Sequence, residues 1–464
     1  VGRIIHAPVD DSYIFYVYAR SFVEGAGLTF NGLNVEGYSS LLWMFGISGL
    51  SLTGLPIPFI GEALSTLAGL FTLLMTYRLA RRAGLGPYTA LIPLGLLAAS
   101  GDFVFYASVG METVLFAGLI ALAAAESLTD DLRGLLTGWR FPLILALMIL
   151  TRPEGALVAG VLLCVLWART GSLWLSVRCG LVLTAMLVPF FAFRYFYYGD
   201  LLPNTWYAKG NAGLANLRHG LAYFIVHLIV YAPLPIMMSA TVILLTLRRR
   251  PIFSVGVVTA GTMALAYVIY IVMVGGDNMV AGRVWVPVLP LIFMVLARWN
   301  AQLFRPQAQV FMAALVAAYV IGLWYGNPSL QERLAFEDTR NEARRQIGLY
   351  LRDNFPPDTV VALNAAGTIP FYSGLPTIDM LGLNDRYLAH YGKRDFTLAY
   401  AHQVGDGAYV LAQEPDVILF GPDASREPPD PSYLGDHEIW DSAEFQANYE
   451  PVDFNGYGWG WVRR

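Results

Sequence analysis

The stretch DDSYIFYVYARSFVEGAGLTFN, residues 10–31, opens with two adjacent aspartates followed by a run rich in tyrosine and phenylalanine. A helix over residues 11–23 fits this pattern, because Ser12 or Asp10 can cap its start and two glycines follow its end. Acids in the first turn stabilise such a helix by about 0.3–1 kcal/mol through its dipole. Helix formation needs only one acid, however. Both a helix start and a catalytic pair therefore fit this stretch.

The surrounding chain has the composition of a membrane protein. Of its 464 residues, 56% are hydrophobic and only 14% are charged, whereas soluble domains carry about 25% charged residues. Ten apolar segments are long enough, or nearly long enough, to span a bilayer: residues 62–80, 88–107, 111–128, 141–153, 154–169, 172–192, 221–247, 253–274, 284–300 and 308–326. The run 40–58 is interrupted by glycines and prolines, so we expect a juxtamembrane or re-entrant element there.

The arginines predict the orientation of these spans. Positive residues collect in cytoplasmic loops, and every second loop here is short and carries arginine, starting near Arg78, Arg133, Arg169, Arg248 and Arg298. The other loops and both ends of the chain then lie on the outer face of an inner or plasma membrane. A chain that starts outside without a signal sequence predicts one more transmembrane helix directly before Val1.

The sequence changes character at about residue 330. A charged amphipathic helix is predicted over QERLAFEDTRNEARRQIGLYLRDN, and β-like runs follow at residues 360–363 and 417–420. We therefore predict a polytopic α-helical membrane protein with a C-terminal extracytoplasmic α/β domain. Its parts are an external loop with juxtamembrane helices at 1–61, a transmembrane domain at 62–326 and the soluble domain at 327–464.

Three polar clusters in the expected outer loops have structural explanations at least as good as functional ones. They are NVEGYSSLLW with Glu36 and Tyr38, GMETVLF with Glu112, and TRPEGAL with Arg152 and Glu154. The first fits an interfacial loop anchored by an aromatic residue, and the second fits an acid that complements a helix dipole. The third fits an ion pair, since charges at membrane depth usually pair or line a cavity.

Two further clusters favour function. FRYFYYGDLLPNTWYAKG contains Arg194, Asn204, Thr205, Tyr207 and Lys209; an aromatic belt explains its rings but not its Pro-Asn-Thr sequence followed by lysine.

GGDNMVAGRVWVPVLP, residues 275–290, contains Asp277 and Arg283. An arginine in an outer loop runs against the usual enrichment of positive residues in cytoplasmic loops. Its guanidinium can donate two parallel N–H hydrogen bonds to a phosphate. A weak surface ion pair between these two residues is the alternative. We favour anion binding by Arg283.

Other chemistry finds no support in the sequence. The histidines are not spaced like metal ligands, and the motifs HExxH, GxSxG and the P-loop are absent. A net charge of −4 gives no sign of the basic surface that binds nucleic acid. Acids and cations on one membrane face suit group transfer from a lipid-anchored phosphate donor. An acid would take the proton of an acceptor hydroxyl, and cations would stabilise the leaving phosphate.

The order of these motifs resembles the GT-C superfamily of polyprenyl-phosphate-dependent glycosyltransferases. Within it, the sequence is most similar to the cell-envelope branch that contains the mycobacterial terminal arabinofuranosyltransferase. The resemblance runs from residue 10 to about residue 385, where TIPFYSGLPTIDMLGLND is similar to the start of that branch's soluble domain. It implies an acidic pair in the first external loop, directly after the first transmembrane helix. Asp10 and Asp11 match this pair, with Asp10 narrowly preferred as the base.

The resemblance also implies roles for the other clusters. Arg283 and Lys209 would bind the donor phosphate, and the cavity would be shaped by Glu36, Tyr38, Glu112, Arg152, Glu154, Arg194, Asn204, Thr205, Tyr207 and Asp277. The partners would be a polyprenyl-phosphate sugar, membrane lipids and a glycan, lipid or protein acceptor. Some superfamily members use a divalent metal and others do not. A lipid-linked sugar transporter and a non-catalytic subunit of a larger membrane assembly are the alternatives.

Overall fold

The computed structural model describes residues 9–209, 214–231, 233–277, 279–395, 398, 403–427 and 433–464. The chain packs as two units. The first unit consists of Val1–Glu62, Ala192–Ala215 and Arg333–Arg464, and the second of Ala63–Phe191 and Asn216–Glu332. Each unit is therefore built from segments that are distant in the sequence.

The regular secondary structure of the described residues up to 325 is helical. Its helices are, in order, α1 (Asp10–Val23), α2 (Leu41–Ser51), α3 (Ile57–Arg82), α4 (Leu91–Ala99), α5 (Gly101–Tyr106), α6 (Thr113–Ser127), α7 (Leu132–Thr137), α8 (Arg140–Thr151), α9 (Gly155–Thr170), α10 (Leu173–Tyr198), α11 (Asn204–Lys209), α12 (Leu214–Val230), α13 (Pro233–Leu247), α14 (Val255–Val274), α15 (Leu289–Leu303) and α16 (Pro306–Tyr325).

Each predicted span corresponds to one of these helices or to a consecutive pair. Within the described residues, five helical segments are long and apolar enough to cross a membrane: Ile57–Arg82, Leu173–Tyr198, Val255–Val274, Val286–Leu303 and Pro306–Tyr325. Helices α6, α8 and α9 are apolar but shorter, with 15, 12 and 16 residues. The protein is a multi-pass membrane protein.

Two spans predicted as continuous helices are broken. The segment 88–107 divides at Ser100, whose extended backbone separates α4 from α5. The segment 221–247 divides between α12 and α13, where Pro233 begins the second helix. Proline lacks an N–H donor and disfavours helical backbone in the residue before it, so it starts a helix more readily than it continues one.

Helix α1 lies close to its predicted bounds, but its start differs from the prediction. Val9 is the N-cap residue, and no side chain caps the helix; the expected capping by Ser12 or Asp10 was wrong. The side chains from Ser12 to Ala19 are all buried, so the middle of α1 is enclosed by protein on every side. The run 40–58 forms only the 11-residue helix α2, too short to span a bilayer.

The C-terminal part follows an α/β pattern. Its helices are α17 (Pro328–Asn354), α18 (Thr368–Ser373), α19 (Arg386–Tyr391), α20 (Gly407–Ala412), α21 (Leu434–Trp440) and α22 (Ala443–Asn448). Its strands are β1 (Val361–Leu363), β2 (Thr377–Asp379), β3 (Lys393–Arg394), β4 (Val404–Gly405), β5 (Val417–Ile418), β6 (Tyr449–Asp453) and β7 (Trp459–Arg463).

Five of these strands form one mixed sheet in the order β2-β1-β5-β7-β6. The two β-like runs predicted from the sequence are β1 and β5, which pair in parallel with Val361 opposite Val417. Strand β7 is antiparallel to both of its neighbours. Phe420, Phe445 and Ile439 are fully buried against the sheet. The predicted sheet-containing domain is confirmed.

Candidate functional site

Asp10, the first residue of α1, is bound through both carboxylate oxygens. Its Oδ1 accepts a hydrogen bond from the backbone N–H of Thr368 at 2.9 Å, and its Oδ2 accepts one from Gly367 at 3.2 Å. Nη1 of Arg344 lies 3.7 Å from Oδ1. A Cβ atom at Gly367 would lie 1.9 Å from the backbone oxygen of Asp10, so the contact requires glycine. Asp10 thus fixes the start of α1 against residues 367 and 368.

Arg344 comes from α17 and was not found by sequence reasoning. Its guanidinium donates to the carbonyl oxygen of Pro422 and to Oδ1 of Asn341. Asn341, Arg344, Ile347 and Leu351 are buried at helical spacing on one face of α17. An arginine on the apolar face of a predicted amphipathic helix was the available signal, because a buried charge implies a partner.

Asp11 follows Asp10 and is also partly buried. Successive residues of an α-helix point about 100° apart around its axis. The two carboxylates therefore leave the helix in different directions, although one anchor sets the position of both.

Glu36 and Arg194 form a buried ion pair in the first unit. Nε of Arg194 lies 2.6 Å from Oε2 of Glu36, and its Nη2 donates to Oε1 at 3.0 Å. The two side chains are only 2% and 4% exposed. Burial raises the pKa of Glu36, while the charge of Arg194 opposes that rise. Since Arg194 also donates to the carbonyl of Leu201, the pair joins two loops distant in sequence.

Asn204 connects the same loops to the loop after β2. Its side-chain amide donates to the carbonyl oxygens of Gly382, Leu383 and Asp385 at 2.8, 3.0 and 3.1 Å. Its backbone N–H donates to the carbonyl of Glu36 at 2.9 Å. The asparagine of the Pro-Asn-Thr sequence therefore holds these loops together.

A buried acid at the end of β2 holds this loop. Asp379 accepts hydrogen bonds from the backbone N–H groups of Leu381 and Asn384 and from the Asn384 side chain. Burial raises the pKa of Asp379 to about 7, although these hydrogen bonds act in the opposite direction. Tyr18 of α1 donates to Oδ1 of Asn384 at 3.1 Å, so α1 also contacts this loop.

We expect Asn204→Asp to destabilise the protein more than Asn204→Ala. The aspartate would place a carboxylate against three carbonyl oxygens, whereas alanine only removes the donors. Each unpaired buried group costs about 1–3 kcal/mol. Thermal unfolding of the purified variants in detergent measures the difference. Equal melting temperatures for the two variants would show that the three contacts do not hold the loop in solution.

The remaining predicted residues of the first unit lie at other contacts. The hydroxyl of Tyr38 lies 2.9 Å from that of Tyr198, and Tyr207 stacks on His390 with ring centroids 4.0 Å apart. Thr205 and Lys209 lie on α11 and are partly buried. Tyr38 and Tyr207 therefore support packing between segments of this unit.

In the second unit, Arg152 binds two acids. Its Nη1 lies 2.8 Å from Oε1 of Glu112, and its Nε lies 2.5 Å from Oε1 of Glu154. The hydroxyl of Tyr267 lies 3.5 Å from Glu154. The sequence suggested an ion pair between Arg152 and Glu154; the structure adds Glu112. The cluster therefore contains two carboxyl groups and one guanidinium.

Arg283 and Asp277, also in the second unit, form a bidentate pair. Nε and Nη2 of Arg283 donate to the two carboxylate oxygens of Asp277 at 2.8 and 2.9 Å. The side chains are 10% and 3% exposed. The weak surface pair considered from the sequence is thus a buried one. Because Asp277 holds one edge of the guanidinium, the orientation of the remaining N–H donors is fixed.

No metal-binding cluster is found in the part of the chain that the structure describes. Those residues contain no group of three or more neighbouring histidine, cysteine, aspartate or glutamate side chains.

Comparison with known proteins identifies the fold. A family described as a domain of unknown function, DUF8728, matches residues 332–462. None of the curated proteins matches the sequence. Among solved structures, ArnT from Cupriavidus metallidurans bound to undecaprenyl phosphate has a TM-score of 0.58 at 18% identity, over 81% of this chain and 82% of that chain.

An archaeal oligosaccharyltransferase, AglB from Archaeoglobus fulgidus in complex with an inhibitory peptide and a dolichol-phosphate, is also similar. It gives a TM-score of 0.51 at 12% identity, over 99% of this chain and 71% of that chain. Both neighbours are GT-C proteins. The predicted fold, a GT-C-like helical membrane protein with a C-terminal sheet-containing domain, is confirmed.

Proposed function

We propose that this protein is a membrane glycosyltransferase that moves a sugar from a polyprenyl-phosphate donor to a hydroxyl group of a glycan, lipid or protein. The observation that carries the proposal is the anchored acidic pair. Asp10 is fixed by Gly367, Thr368 and Arg344, and this contact sets the position of Asp11 in a GT-C fold. The arginine pattern of the loops supports an extracytoplasmic reaction.

The contacts of Asp10 favour Asp11 as the general base. Both oxygens of Asp10 already accept hydrogen bonds from the backbone, and an arginine faces one of them. These contacts engage lone pairs of Asp10 that an acceptor hydroxyl would need. Sequence resemblance gave Asp10 a narrow preference. We propose instead that Asp11 is the base and that Asp10 positions it.

The proposed reaction uses one base and a set of cations. Asp11 takes the proton of the acceptor hydroxyl while the acceptor oxygen attacks the anomeric carbon of the donor. The bond between that carbon and the phosphate oxygen breaks, and its electron pair leaves with the polyprenyl phosphate. We assign the stabilisation of this phosphate to Arg283 and Lys209.

Transfer from a radiolabelled polyprenyl-phosphate sugar by the purified protein tests the proposal. Polyprenyl-phosphate arabinofuranose is the first donor to try because of the motif resemblance, followed by hexose donors of the same type. Product formation by the wild-type protein is the expected result. If no donor supports transfer and the protein instead co-purifies in fixed ratio with other membrane proteins, a non-catalytic subunit is the better description.

We expect Arg283→Lys to lower kcat/KM for the donor by about 10- to 100-fold, because a charge-assisted hydrogen bond contributes about 1.5–3 kcal/mol and lysine cannot hold Asp277 and a phosphate together. Arg298→Lys is the matched control, since Arg298 donates to the backbone oxygen of Ala83 and has no assigned role. Equal losses in both variants would point to general destabilisation and remove Arg283 from the donor site.

A further inference from the structure

A polar cavity lies beside α1, near the end opposite to Asp10. Its volume is about 480 Å³, and its lining includes Arg20, Glu24, Asn31, Arg352, Phe371 and Tyr372. All of these residues belong to the first unit. The cavity has no part in the reaction described above, which involves residues at the start of α1.

The cavity wall is held by internal hydrogen bonds. The guanidinium of Arg20 donates to Oδ1 of Asn31 at 2.6 Å and to the backbone oxygen of Phe371. Asn31 has a left-handed backbone with φ 46° and donates to the carbonyl of Leu375 at 2.7 Å. Since these bonds need no ligand, the shape of the wall is set in advance, which lowers the entropic cost of binding.

The lining combines groups that suit carbohydrate. Phe371 and Tyr372 supply aromatic rings, on which the apolar face of a sugar can pack. Glu24 and Arg352 have side chains 63% and 55% exposed, and they offer an acceptor and a set of donors for hydroxyl groups. Glu24 offsets the charge of Arg20, and Arg352 already donates to Asp353 at 2.8 Å, so little net positive charge is left to favour a purely anionic ligand such as a lipid phosphate.

The position of the cavity relates it to the acidic pair. Arg20 follows Asp10 by ten residues on the same helix, about 15 Å along its axis. Tyr13 lies between Asp10 and Arg20 on the helix. The centroid of its ring is 5.4 Å from that of Phe371 and 5.6 Å from that of Tyr372. An extended chain of a few sugar residues can span such a distance.

We propose that this cavity binds a carbohydrate acceptor at a point a few sugar residues away from the hydroxyl that reacts. The inference rests on the proposed glycosyltransferase function and specifies its acceptor as a glycan chain. Chains that are long enough to reach from Asp11 to the cavity bind more tightly than shorter ones. The enzyme therefore extends or terminates existing glycans in preference to single sugars.

Ala26→Trp tests this proposal. Ala26 is exposed and lines the cavity, so the indole fills it; Ala447→Trp is the matched control, since Ala447 is exposed on α22 and outside the cavity. The probes are linear arabinofuranose and mannose oligomers, from disaccharide to octasaccharide. Binding to the full-length purified protein is measured by calorimetry without donor, so the result does not depend on catalysis.

We expect wild-type affinity for one series to rise with chain length, and Ala26→Trp to weaken binding of the longer oligomers about tenfold, a loss of about 1.4 kcal/mol. Short oligomers and the control variant should be unaffected. Glu24→Ala combined with Arg352→Ala gives a second test if the tryptophan variant does not fold, with Glu342→Ala on α17 as its control.

Affinity that is independent of chain length, or unchanged by both cavity variants, would overturn the proposal. The proposal would also be overturned if the protein bound anionic lipid vesicles but no oligomers, and if Ala26→Trp abolished the binding of the vesicles. Length-dependent binding with no transfer from any donor would leave the carbohydrate site in place while contradicting the glycosyltransferase function.

Discussion

Asp11→Asn should abolish measurable sugar transfer, lowering kcat by about 10²–10⁴-fold, the usual contribution of a general base. The amide has nearly the same shape as the carboxylate but cannot take the proton of the acceptor hydroxyl. The hydrogen bonds from Gly367 and Thr368 go to Asp10 and are not removed in this variant, so we expect the loss of transfer to exceed any loss of stability. Transfer of label from the polyprenyl-phosphate donor and thermal unfolding, measured on the same preparation, separate the two effects.

Asp10→Asn is the informative comparison. The asparagine keeps one oxygen to accept from Gly367 or Thr368 but loses the second acceptor and the charge that faces Arg344. We expect a stability loss of about 1–3 kcal/mol and a smaller fall in transfer than for Asp11→Asn. The reverse ranking would return the role of base to Asp10. Full activity in both variants would end the catalytic-pair hypothesis.

The elements that depend on local sequence were predictable. Helix α1 follows from its acidic first turn and the glycines after its end, and strands β1 and β5 follow from short β-branched runs bounded by turn residues. The apolar segments gave the helices of the second unit because hydropathy is a local property of the chain. Where prolines or a serine interrupt such a segment, the break itself was missed, since hydropathy does not record it.

The contacts of the candidate site were not predictable in the same way. Asp10 contacts Gly367, 357 residues away, and also Arg344, and Glu36 contacts Arg194, 158 residues away. A single sequence shows that a charge in an apolar setting needs a partner, but it does not show which one. The sequence therefore marks these charged residues as ones that need a partner, but only the fold shows that Asp10 anchors the start of α1.

The largest expected effect on stability comes from the buried pair of Glu36 and Arg194. Arg194→Met should destabilise the protein by about 3–5 kcal/mol, because it leaves a buried carboxylate without its partner. The side chains are only 2% and 4% exposed, so water cannot replace the lost contact. A fall in melting temperature in detergent, together with loss of transfer, is the expected observation.

The double variant Glu36→Leu with Arg194→Met distinguishes a structural pair from a site residue. Well-packed apolar side chains often replace a buried ion pair with no loss of stability, so the double variant should unfold close to the wild-type temperature. We expect transfer to return with it, because Glu36 and Arg194 act by joining the loops around residues 36 and 201 and thereby placing Asn204. A stable double variant without activity would instead show that Glu36 contacts a substrate. A double variant as unstable as Arg194→Met would show that the loops depend on the charges themselves.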